Sequence, residues 1–87
     1  MLAATAAQWM LATLERDECV YQDDTVDMLT KADAEDLLRE NADGNPVLGA
    51  AVLNEFKKIS AGAVWIKPDR YWRWRVEEDE PGREQRG

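Results

Sequence analysis

Between Lys67 and Arg75 the chain reads Lys-Pro-Asp-Arg-Tyr-Trp-Arg-Trp-Arg, with aromatic and basic side chains in alternation. At the two-residue period of a strand, Trp72 and Trp74 share one face, while Tyr71, Arg73 and Arg75 share the other. The indole face is suited to closing a core. The opposite face offers guanidinium groups, which recognise carboxylates and phosphates, to a partner.

No other cluster points to catalysis. The chain has no histidine, which removes the commonest general base and metal ligand. Cys19 is the only cysteine and lies between Glu18 and Val20. Nearby acids disfavour its thiolate, so it is expected to be a small buried side chain. Asp23, Asp24 and Asp27 lack the glycine turn and bidentate glutamate of a calcium loop, and read as a solvated helix start. Asp43-Gly44-Asn45 is a turn and not a phosphate loop, because no glycine-rich run or lysine follows. Glu77, Glu78, Asp79 and Glu80 have no apolar neighbours to raise a carboxyl pKa, and read as a solubilising run. The expectation is a protein that is not an enzyme and needs no metal or cofactor.

The chain has 87 residues and a net charge of −7, distributed unevenly. Residues 1–56 carry a net −9, residues 57–75 a net +5, and residues 76–87 a net −3. The basic strand either pairs with acidic groups of its own chain or meets an external partner. A lone cysteine allows no internal disulfide and fits a reducing cytoplasm. The apolar start, Met1 to Ala7, has no basic flank and is interrupted by Gln8, so it is read as the lead into a helix. No window reaches the length of a membrane span.

These residues need elements to position them. Ala3 to Arg16 is expected to be a helix, with Ala7, Met10, Leu11 and Leu14 on its apolar stripe and Trp9 at the margin. Val20-Tyr21-Gln22 reads as an extended link. Asp23 or Asp24 then caps a second helix ending near Lys31, with Val26, Met28 and Leu29 buried. For Asp33 to Asn41, propensity favours helix, but Leu37 and Leu38 are its only apolar anchors, so a short edge strand is equally consistent. Asn41-Ala42-Asp43-Gly44 is a turn signal. Asn45-Pro46 reads as the cap and first residue of a third helix that runs to Ile59, with Leu48, Val52, Phe56 and Ile59 inward. Val64 and Ile66 share one strand face and Trp65 takes the other. Lys67 to Arg70 is a turn with proline second, and Tyr71 to Arg75 returns. The fold class expected is α+β: three helices followed by a two-stranded hairpin, the order of a winged helix. Residues 1–76 form this single domain, and 77–87 a charged tail or surface arm.

The chain also resembles a bacterial domain family of unknown function found in small stand-alone proteins, some of which look like products of mobile gene cassettes. The matching pieces are Gln8-Trp9-Met10-Leu11, Tyr21-Gln22, Asn41 with Gly44-Asn45, Val52-Leu53 with Phe56, Val64-Trp65 and Tyr71-Trp72-Arg73. Asp79-Glu80-Pro81-Gly82-Arg83-Glu84-Gln85 is the most specific match. The resemblance implies that Leu37 to Asn41 is extended, although Leu37-Leu38-Arg39 departs from the aromatic and β-branched pattern of the family. It brings no activity, cofactor or catalytic residue.

Two functions follow as expectations. The first is a protein-interaction module, binding a partner or a second copy, with Trp9, Trp65, Tyr71 and Arg73 as candidate anchors, since tryptophan and arginine are enriched at binding hot spots. The alternative is a nucleic-acid binder. Lys57, Lys58, Arg70, Arg73 and Arg75 would neutralise phosphates and Asn54 would face base edges. The net negative charge opposes the second reading.

Overall fold

The computed structural model describes residues 1–77, 79 and 82–85 of the chain. Helix α1 spans Ala3–Asp17 and buries Ala6, Ala7, Met10, Thr13 and Leu14. Thr13 joins this apolar face because its hydroxyl donates to the Trp9 carbonyl one turn back, at 2.9 Å. Glu18, left-handed at φ 65°, turns the chain into strand β1, Cys19–Tyr21. Cys19 is half-buried there and not enclosed as expected.

Helix α2, Gln22–Lys31, starts with no intervening link. The expected aspartate cap is not made. Tyr21 occupies the cap position, and Asp23 and Asp24 fall in the first turn, where exposed backbone N–H groups favour carboxylates. Asp33, at φ 59°, closes the helix. The Ala34 N–H donates to the Leu29 carbonyl at 2.8 Å and the Asp33 N–H to the Thr30 carbonyl at 3.2 Å, both bonds of a Schellman ending.

The next segment corrects the expected third helix. A 3-10 turn at Glu35–Leu37 leads into β2, Leu38–Glu40, which pairs antiparallel with β3, Pro46–Leu48. Of Leu37 to Asn41, Leu38–Glu40 is therefore extended, and Pro46 starts a strand, not a helix. Asn41 decides the outcome. Its Oδ1 accepts from the N–H groups of Asp43 and Asn45 at 2.9 and 3.0 Å, closing the loop into a hairpin. Gly44 supplies the positive φ of 79° that the loop requires. Helix α3 begins only at Ala50 and ends at Ile59, with Gly49 at its cap position. A Cβ on Gly49 would stand 2.7 Å from the Leu37 carbonyl oxygen, which the Gly49 N–H binds at 2.9 Å. Val52 and Phe56 bury inward, whereas Ala51 is exposed.

β4, Ala63–Ile66, and β5, Tyr71–Trp74, form the expected hairpin, and β1 adds to the free edge of β5. A short β6, Glu84–Gln85, runs parallel to β4, giving the sheet order β1-β5-β4-β6. The whole is mixed α+β, three helices with small, mainly antiparallel sheets.

Register sorts the side chains of the larger sheet. Val20, Trp72 and Trp65 lie in one row, and Ala63 opposes Trp74. This inner side meets the helices, with Trp72 only 5% exposed and edge-on to Phe56 at 5.3 Å. The outer side carries Cys19, Arg73 and Val64 in one row and Tyr21, Tyr71 and Ile66 in the next. Val64 and Ile66 are nonetheless 0% and 1% exposed.

Candidate interaction site

On the outer side of the sheet, Asp79 of the C-terminal stretch meets Arg73 of β5. Arg73 donates through both terminal nitrogens to the two carboxylate oxygens of Asp79, each at 2.8 Å. The Val76 N–H donates to the same carboxylate at 2.8 Å. The Arg73 fork, with the Val76 N–H second, holds the Asp79 carboxyl down at about 2 against an ordinary 3.8. Arg75 donates to the Gly82 carbonyl. Arg70 turns to Asp23 of α2, at 3.3 Å. Three arginines of the basic run are thus bonded within the chain.

Arg83 supplies a second fastening that the sequence reading passed over. One guanidinium nitrogen donates to the Ser60 and Ala63 carbonyls at 2.8 and 3.2 Å, and the other to the buried Ser60 hydroxyl at 2.7 Å. The group lies 5.8 Å from the centre of the Phe56 ring, beside the C-terminus of α3, where the helix dipole favours a cation. Burial pushes this guanidinium below its ordinary pKa. The visible signal was the Pro-Gly-Arg-Glu stretch, whose composition stood out although its place against β4 did not.

The anchors proposed from sequence fall in three places. Tyr71 and Arg73 share the outer side, where Tyr71 stacks on the exposed Tyr21 with ring centres 5.0 Å apart. Trp9 lines a groove of about 590 Å³ between α1 and α2, with Met28 and, among its charged residues, Arg16, Asp24, Asp27 and Lys31. Trp65 is on the inner side, half-buried against Trp72 at 4.3 Å. The nucleic-acid set is divided as well. Asn54, Lys57 and Lys58 are exposed on α3, whereas Arg70 ends the β4–β5 turn, Arg73 lies in β5 and Arg75 follows it.

Trp65 lines a cleft of about 310 Å³ that sequence reasoning did not find. Its apolar wall is Val47 of β3, Leu53 of α3, Trp65 and Trp72, and its polar lining is Gln22, Arg39 and Asn41. Six elements and a loop converge there. α2 brings Gln22, β2 brings Arg39, and the hairpin that replaced the first turn of α3 brings Asn41 and Val47. Gln22 is only 8% exposed and accepts the Leu48 N–H on Oε1 at 3.4 Å, which ties α2 to β3. Arg39 was obscured because it sits within an acidic segment whose conformation propensity misjudged. Strand alternation would have set it opposite Leu38 and Glu40. Among the described residues no three His, Cys, Asp or Glu side chains are grouped to hold a metal, and no helix is long and apolar enough to cross a membrane.

These features define a class, a small α+β protein in which two half-buried indoles, Trp9 and Trp65, line grooves between elements. A family model described as a family of unknown function (DUF6953) matches residues 2–74, and the chain belongs to that family. No curated protein and no solved structure matches the chain.

Proposed function

We propose that the protein is a non-enzymatic interaction module that binds a protein partner or a second copy of itself. The observation that carries this reading is Trp65, a large aromatic left half-exposed in a cleft beside the buried Val47 and Trp72. Such a seat, with an arginine beside it, matches the composition of binding hot spots, where buried aromatic contact supplies most of the energy. The half-exposed Trp9 and the exposed Tyr21 offer further contact area. Size-exclusion chromatography with light scattering, followed by amide-resolved NMR of any complex, tests the reading. An assembly that Trp65→Ala weakens while the helical spectrum is kept supports it. A strict monomer at high concentration with no protein ligand counts against it.

The alternative, a winged-helix nucleic-acid binder, draws on the order of three helices followed by the β4–β5 ribbon. Its phosphate contacts would come from Lys57, Lys58, Arg70, Arg73 and Arg75, with Asn54 toward the bases. The pairing of Arg73 with Asp79 and of Arg70 with Asp23 weighs against it, because a phosphate contact by either arginine would first break an internal ion pair. Salt-sensitive retention of random duplex, lost in Arg73→Ala with Arg75→Ala, would place this alternative first.

A further inference from the structure

The Trp65 cleft has a chemical polarity that narrows its ligand. Asn41 spends its carbonyl oxygen on the Asp43 and Asn45 N–H groups, so its NH2 remains. Gln22 spends its carbonyl oxygen on the Leu48 N–H, and its NH2 has no partner among the described residues. That NH2 is not sealed in the interior, since among the described residues no buried side-chain nitrogen or oxygen lacks a partner, and Gln22 lines the cleft. It is therefore a donor held by a largely buried residue and open to whatever enters. Arg39 has no ion pair or hydrogen bond among the described residues and adds up to five donors and a full positive charge. The indole N–H of Trp65 can only donate. Every side-chain polar group left over in the cleft is thus a donor, against an apolar wall. An incoming group must supply acceptors, negative charge and apolar surface together.

We propose that this cleft is a carboxylate-binding site, and that its occupant is the C-terminal residue of a polypeptide partner, with an apolar side chain against Val47, Leu53 and Trp65 and the terminal carboxylate on Arg39, Gln22 and Asn41. The volume, about 310 Å³, is at the low end for small-molecule sites and suits one side chain with its carboxylate. Capture of a chain terminus by converging donors is an established mode of peptide recognition. The proposal rests on the interaction-module reading and names the chemistry of the partner.

The test is an NMR titration of the full chain with N-acetyl-Ala-Phe as the free acid and as the C-terminal amide, and with phenylacetate. The acid is expected to shift the resonances of Trp65, Arg39 and Gln22, and the amide to bind at least about tenfold more weakly, the loss of one charge-assisted contact. Arg39→Ala, an exposed position, should erase that preference while leaving the rest of the spectrum in place. Equal binding of acid and amide, shifts confined to other surfaces, or no shift by the acid would overturn the site. Phenylacetate binding as tightly as the peptide acid would overturn the chain-terminus occupant. Acid binding by a chain that takes up no protein partner would keep the cleft and reject the module. No acid binding by a chain that still assembles through Trp65 would do the reverse.

Discussion

The two sides of the β4–β5 ribbon are built from neighbouring residues and end in opposite states. The outer side holds the most basic segment of the chain, yet Arg73 is locked to Asp79 and Arg70 faces Asp23. The inner side meets a segment that is acidic overall, yet Arg39 there is unpaired among the described residues, beside indoles and amide donors. Local charge density is therefore a poor guide to available charge. A run of like charges attracts its own counter-charges during folding, whereas an isolated arginine on a short strand can be left facing a groove.

The contrast can be broken most severely at Trp72, which lines the inner cleft and holds the ribbon on Phe56. Trp72→Ala is expected to cost about 3–5 kcal/mol in urea denaturation, enough to unfold a small domain and erase both sides together. Gly49→Ala is next. Its Cβ meets the Leu37 carbonyl, a backbone atom that cannot swing away, so a loss of about 1–3 kcal/mol is expected by the same measurement. That substitution also tests whether the β2–β3 hairpin sets the cleft, because Arg39 and Asn41 should lose their fixed positions.

Acid separates the two sides without mutation. The Asp79 carboxyl has a folded pKa of about 2, below its ordinary 3.8. The contribution of its pairing is therefore fully present above about pH 4 and disappears as the pH falls through 2. The protection factor of the Trp65 N–H, its exchange rate set against that of an unstructured amide at the same pH, should fall across that window in the native chain, because this group donates to the Arg83 carbonyl. In Asp79→Asn the protection factor should be lower throughout and should lack this fall between pH 4 and 2. An identical acid profile in the two proteins would separate Asp79 from the docking of the tail. The smallest effect belongs to Arg39→Ala, which should change stability by no more than about 0.5 kcal/mol, as expected for an exposed side chain without partners.

The sequence made the helices and the ribbon legible because their signals are periodic. Ala7, Met10 and Leu14 repeat at helical spacing and are buried, and Trp72 faces inward as alternation required. The start of α3 was not legible. Asn45-Pro46 is a sound helix-start signal, and the Asn41 side chain, reaching forward to Asp43 and Asn45, together with Gly44 and the β2–β3 pairing, makes it a hairpin. The site was harder still. Trp65 drew attention by type, but its neighbours come from five other elements and a loop, and Arg39 and Gln22 acquire meaning only when α2, β2 and β3 are brought together. The charge asymmetry of residues 57–87 left pairing within the chain and an external partner equally open, and gave no sign that Arg83 would end on Ser60.

Arginine-selective labelling with phenylglyoxal, read residue by residue by mass spectrometry, tests directly whether the basic run is spent within the molecule and the isolated arginine is not. Arg39 should react at the rate of a free arginine, with Arg73 and Arg83 strongly protected until the chain is unfolded. Labelling of Arg73 as fast as Arg39 in the native protein would contradict the account.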